Sequence, residues 1–257
     1  MDNQLFLLCQ LFLVVLVGGV LWAIRKALKH SYTRIGMPEG RRAALLQFSL
    51  GVFIFWLVLL AQLALLGFFS QLDNMPLRLL LAYAPPILLF FGLLFNRFFR
   101  LLLRLMPMSW LVYAQAVRLP LEGIRWLGYE GDFVPIQLTF AGLNYDLIVG
   151  LSAIVAGTAF FRRGRLRKLE AIIWNVFGLM MLLQVQVLAL YSMPSPFQVF
   201  FLKPTYWLES TAPFVWIPGL LVPFCLALHV YSLLLLWQAP SPTARFLQRR
   251  YRPVGKE

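Results

Sequence analysis

The chain is poor in charge, and poorest in acid. Only 13% of its 257 residues are charged, and only ten are Asp or Glu. A soluble domain needs a polar coat. A chain that is 61% hydrophobic, with a mean hydropathy of +0.77, has too little polar surface to make one. Cysteine is scarce as well: Cys9 and Cys225 lie in separate apolar stretches at different depths, which argues against a disulfide and leaves both as small packing residues. The two histidines, His30 and His229, are too few for a metal cluster. With His30 expected in a loop, they do not make a bis-histidine haem site. The last apolar stretch, Leu220–Trp237, holds no lysine for a retinal Schiff base. Phosphate-binding glycine loops, HExxH and GxSxG are all missing. No pair of spans has the matched interruptions of an inverted-repeat transporter. No cofactor is expected.

What the chain has is long apolar runs. Each needs roughly 20 residues to cross a bilayer core of about 30 Å. Seven candidates fit, at about 5–24, 43–69, 78–103, 109–128, 146–161, 169–191 and 213–237. The expected fold is all-α: a polytopic bundle of about seven transmembrane helices, forming one integral membrane domain over residues 1–257 with a basic cytoplasmic tail at 238–257. Pro85-Pro86 is expected to kink the third span, and Pro218 and Pro223 the seventh.

The placement of the bases fixes an orientation. All but four of the 23 Lys and Arg residues fall in the first, third and fifth connections or in the tail; the exceptions are Arg78, Arg118, Arg125 and Lys203. This is the positive-inside pattern, with the N-terminus outside and the C-terminus in the cytoplasm. The fourth span, 109–128, is polar enough for hydropathy to miss, but the charge pattern requires it. Without it, Glu130 and Asp132 would share a side with Arg97, Arg100 and Arg104. Charge follows the first apolar stretch instead of preceding it, so that stretch is expected to be an uncleaved signal-anchor. A net charge of +13 with a pI near 10.4 would suggest nucleic acid in a soluble protein. Here the bases are topology signals. The expected partners are the bilayer and its anionic inner-leaflet lipids, not nucleic acid.

Ionisable groups inside a membrane are costly and need a reason. Arg118 and Glu122 stand at i,i+4 in the fourth span, separated by Pro120. One reading is a neutralising ion pair; the other is a pair lining a cavity that holds a polar headgroup or moves a proton. The next connection is the densest polar stretch of the chain. It runs from Tyr129-Glu130-Gly131-Asp132 through Gln137 and Thr139 to Asn144 and Asp146. Asn144 and Asp146 suit a helix N-terminus. Gln137 and Thr139 alternate with Ile136, Leu138 and Phe140, as an extended piece over the bundle would. Arg118, Glu122, Gln137, Thr139, Asn144 and Asp146 are the candidate ligand-binding set, in the outer half. Asn175 and His229, at similar depth on antiparallel spans, form a second candidate polar pair. The aromatic connection Ser192–Thr211 is expected to lie at the interface as a lid.

Arg118-Leu-Pro-Leu-Glu122, followed by Gln137-Leu-Thr-Phe-Ala-Gly-Leu-Asn144-Tyr-Asp146-Leu-Ile-Val-Gly150, resembles a family of uncharacterised bacterial multi-pass membrane proteins. The resemblance continues through Trp174-Asn175 and Pro213-Phe-Val-Trp216-Ile-Pro218. That family has an acidic residue where this chain has Ala141. The resemblance implies a bacterial cytoplasmic membrane protein and carries no activity. From the residues alone the first functional reading is a small-molecule or lipid-binding bundle of sensor or transporter type. The alternatives are an intramembrane enzyme on a lipidic substrate, with Glu122 or Asp146 as acid/base, and a structural or assembly subunit.

Overall fold

The computed structural model describes residues 2–70, 75–161 and 166–239. The bases Arg162, Arg163 and Arg165, and the tail from residue 240, lie outside the described residues. All regular structure among those described is helical.

Helix α1 (Asn3–Arg34) begins at Asp2, whose carboxylate accepts from the N–H groups of Gln4 at 2.8 Å and Leu5 at 3.2 Å. It continues well past the expected end of the first span. Arg25, Lys26, Lys29 and His30 therefore ride on the helix, and His30 is not in a loop. The chain leaves α1 at Gly36, whose φ of 69° is the left-handed exit that glycine adopts without strain. Helix α2 (Glu39–Leu65) follows. Helix α3 (Met75–Leu93) continues without a break through Pro85 and Pro86. The sharp turn falls later, where α3 meets α4 (Arg97–Leu105) at 83°. Asn96 makes it: its side-chain oxygen accepts from the N–H groups of Phe98 and Phe99 at 2.8 and 3.2 Å and starts a new helix. The expected third span is thus two helices. The second is amphipathic, with Arg97, Arg100 and Arg104 exposed and Leu102 and Leu103 buried.

The fourth apolar stretch is α5 (Met108–Tyr113), a tighter 3₁₀ turn over Ala114–Val117, and α6 (Arg118–Glu130). Helix α7 (Asp146–Ala159) has 14 residues, about 21 Å at 1.5 Å per residue. Helix α8 (Lys168–Ser192) has 25. The last helix, α9 (Val222–Gln238), is preceded by a wider π turn over Ile217–Leu221. Four segments are long and apolar enough to cross a membrane: α1, α2, α8 and Ile217–Gln238. The bent pair α3–α4 makes a fifth. The two remaining expected spans fall short of that measure, α5–α6 because it is broken and polar, α7 because it is short.

The chain from Ile217 to Gln238 is the most buried of the long apolar segments and packs against α8, α3 and α5, while α1 packs on α6 and α2. Its prolines explain one of the contacts that hold it. Pro223 has no N–H, so the Gly219 carbonyl one turn back loses its helical donor. The Trp56 indole of α2 donates to that carbonyl instead, at 2.9 Å. A Cβ on Gly219 would lie 2.1 Å from Leu60 Cδ1, so α2 sits directly on the glycine. Helices α1 and α2 turn bulky side chains such as Phe48 and Phe55 outward, as a surface against lipid does.

Hydrogen bonds between elements tie the bundle together at its two ends. The Asp2 N–H donates to the Gly131 carbonyl at 2.9 Å, so the start of α1 and the acidic connection after α6 share one end. At the other, Arg104 donates to Gln238, Ser31 to the Leu102 carbonyl and Lys168 to the Ala239 carbonyl.

Candidate functional site

Most of the buried charge in the described residues is in one region. Two guanidiniums, Arg118 and Arg125, stand two turns apart on α6 and are inaccessible to solvent. Three buried carboxylates, Glu122, Asp146 and Glu209, surround them. A charge buried without a partner is prohibitive, so the question is which group pairs with which.

Arg118 does not pair with Glu122. Its Nη1 donates to Asp146 Oδ1 at 2.7 Å and to the Gly178 carbonyl at 3.2 Å, and its Nη2 lies 3.0 Å from His229 Nε2. Guanidinium can only donate, so Nε2 accepts and the imidazole is neutral with its proton on Nδ1. That proton points at Asn175 Oδ1, 2.9 Å away, and Asn175 Nδ2 donates to the Ala171 carbonyl at 2.8 Å. The expected Asn175–His229 hydrogen bond is present, and it is the far end of the Arg118 network. Protonating Nε2 would set two donors face to face, so the neutral imidazole, accepting from the arginine, is the form that fits this arrangement. Gly178 makes room: a Cβ there would lie 2.3 Å from His229 Cε1.

Glu122 instead pairs with Arg125 at i,i+3. Its two oxygens also accept from Asn144 Nδ2 at 2.9 and 2.8 Å. Asn144 Oδ1 accepts from the Asp146 N–H at 2.9 Å. Asn144 thus serves the start of α7 and the carboxylate on α6 together, and Asp146 turns its own carboxylate inward to Arg118 and leaves the capping to Asn144. The connection before α7 is not extended. Ile136–Leu138 forms a 3₁₀ turn that buries Gln137, whose Nε2 donates to Ser192 Oγ at 3.0 Å on α8. Thr139 Oγ1 closes the turn onto the Ile136 carbonyl at 2.8 Å. Arg118, Glu122, Asn144 and Asp146 are therefore joined in one network, while Gln137 and Thr139 pin the loop beside it.

A third group carried no role in the sequence reading. Glu209, in the aromatic connection after α8, accepts from Tyr206 at 2.9 Å; the Tyr83 hydroxyl of α3 donates to Gln186 Oε1 at 2.6 Å and lies 3.4 Å from Glu209 Oε2. The expected lid is therefore anchored by a buried acid, although Phe197 and Phe201 remain exposed. An acid inside an aromatic connection leaves no periodic signal. Burial raises the Glu209 carboxyl above its ordinary value of 4.5, and the nearby Arg125 charge opposes this. Charge balance points the same way, since two guanidiniums already neutralise Glu122 and Asp146. Arg118, Arg125, Asp146 and Gln186 line a void of only about 10 Å³, roughly the room of one water molecule. The charged side chains are buried, and the space between them is no larger than that.

The large open space lies elsewhere. A cleft of about 610 Å³ runs between α1, α2, α3, α4, α5 and α9 near the end that holds Arg104 and Gln238. Its walls are apolar, with Phe53, Phe90, Phe99 and Leu103 among them, and its polar side chains, including Lys26, Tyr32, Ser49 and Asn96, lie near that same end. Phe48 and Leu89, which line it, are also exposed, so the cleft reaches the surface of the bundle.

Double-mutant cycles separate the two ion pairs. Arg118→Leu alone should cost on the order of 3–5 kcal/mol, because it strands Asp146, and adding Asp146→Leu should recover much of that loss. Pairing Arg118→Leu with Glu122→Leu should recover little. Folded yield and thermal midpoint in detergent are the readouts, and equal recovery in both cycles would contradict the assigned partners. For Glu209 the sign follows from its raised value: stability is fully present below about 4.5 and is lost as pH rises through the folded-state value. Glu209→Gln should therefore gain thermal stability over the parent at pH 8 and show little difference at pH 4. A gain that does not grow with pH would show that Glu209 is not the titrating group.

No known family, curated protein or solved structure matches the chain, which leaves the geometry of these clusters as the ground for a functional reading.

Proposed function

We propose that the protein is a lipid-binding membrane bundle of sensor or transporter type, and that its ligand site is the apolar cleft and not the polar cluster. The cleft carries the reading. Its volume lies within the ~300–1,000 Å³ range of ligand pockets, its walls suit hydrocarbon, and it reaches the surface of the bundle. The polar cluster supports a different role. Its ion pairs are made within the protein, and its void admits nothing larger than a water molecule. Glu122 and Asp146 are committed to arginines, which weakens their case as acid/base groups of an intramembrane enzyme. The buried cluster also suits a structural or assembly subunit, the second reading, in which the cleft would be a packing surface.

In this reading the chain crosses a bacterial cytoplasmic membrane seven times, N-terminus outside. The broken α5–α6 element crosses where neighbours satisfy its buried polar groups, and the short α7 crosses at the edge of the bundle, with Ile148, Leu151, Ile154 and Val155 outward. Helix α4 lies along the inner interface with its arginines among headgroups.

Two measurements test this. Ala27→Phe and Ala114→Phe place rings in the cleft, where open space keeps the overpacking cost small. Both should fold as well as the parent but lose co-purifying lipid in native mass spectrometry. Lipid retained at the parent level would remove the cleft as the site. Separately, a cysteine at Asp132 should react with a membrane-impermeant reagent added outside, and one at Arg250 only after the membrane is opened. Labelling of both from one side would overturn the seven-crossing arrangement.

A further inference from the structure

We infer that the cleft selects lipids with an anionic phosphate headgroup, held by Lys26; this rests on the lipid-binding reading above. The residues lining the cleft include Lys26 and no acid. The ammonium of Lys26 stands 4.8 Å from the Trp22 ring and 6.0 Å from the Trp110 ring. It makes no ion pair among the described residues. A cation held by two indoles, at the mouth of an apolar space and with no carboxylate to neutralise it, is a half-built site for an anion.

His30 stands close by on α1 but is not among the residues lining the cleft. It lies one turn beyond Lys26 on α1, with its ring 5.0 Å from Trp110, and its Nε2 is buried with no hydrogen-bond partner. Asn96 and Tyr32 add neutral polar groups on the same lining as Lys26. The exposed Arg97 and Arg100 on α4, next to Asn96, add positive potential near that end.

The same geometry disfavours a zwitterionic choline headgroup. Indole faces bind quaternary ammonium groups well, but here Lys26 already stands over them. A second cation would meet it with like charge. An anionic headgroup meets only attraction, with its chains running between Phe53, Phe90 and Leu103 toward α9.

The test uses the full-length protein in nanodiscs of equal phosphatidylglycerol and phosphatidylcholine with identical chains. Lipid retained on gentle release is counted by native mass spectrometry. The parent should retain phosphatidylglycerol over phosphatidylcholine by at least about fivefold, the effect of one surface cation. Lys26→Gln should lower that preference by about fivefold while leaving total retained lipid unchanged, and Lys26→Arg should keep it. Ala27→Phe should lose both lipids. Equal retention of the two lipids by the parent, or an unchanged preference in Lys26→Gln, overturns headgroup selection and leaves the cleft as a lipid site. Retention of neither lipid by the parent overturns both readings.

Discussion

Burying two guanidinium groups among apolar helices is the constraint on which the rest of the structure depends. Neither can shed its proton, so each must meet a carboxylate and further acceptors inside the protein. Arg118 draws on four helices to do this: its own α6, α7 through Asp146, α8 through the Gly178 carbonyl, and α9 through His229. Arg125 and Glu122 tie in the connection before α7 through Asn144. These bonds fix the rotation of each helix about its axis, because a turn of one residue would carry a partner out of reach. Apolar packing against lipid supplies no such register, since one greasy face is as acceptable as another.

The glycines follow from the same demand. Gly178 brings α8 close enough for its carbonyl to meet Arg118 and for His229 to lie against it. Gly219 lets α2 approach the π turn before α9, where proline has freed a carbonyl for Trp56. In both places a missing side chain lets a polar backbone group take part in the packing.

The molecule therefore divides by chemistry. Toward the end with Asp2 and Gly131, helices and connections close around paired charges and leave no usable space. Toward the other end, α3 turns away at Asn96 into α4, and the gap between the helices is filled by neither charge nor bulky side chains. The bend makes the cleft: a straight third helix would place residues 97–105 along the axis of the bundle and not across its end. A buried polar cluster beside an apolar cleft suits the lipid-binding role proposed above.

The sequence by itself determined the class of object and much of its inventory. Apolar runs call for several helices long enough to span a membrane, and four long helices with a bent fifth are found where five of the seven expected spans lie. The polar residues Arg118, Glu122, Asn144, Asp146, Asn175 and His229 stand out because their surroundings are so apolar. Only the tertiary structure decided their partners. Spacing along one helix offers Glu122 both Arg118 and Arg125, and the choice depends on Asp146 and His229 arriving from other helices. Glu209 and Tyr83, 126 residues apart, are brought together by packing alone. Where the third span bends was likewise hidden, because Pro85-Pro86 is the stronger local signal while the turn is made by the Asn96 cap. Periodicity and charge are local properties and survive in a sequence; partner choice and the cleft depend on helix rotation and on close approach at glycines, which are properties of the packed bundle.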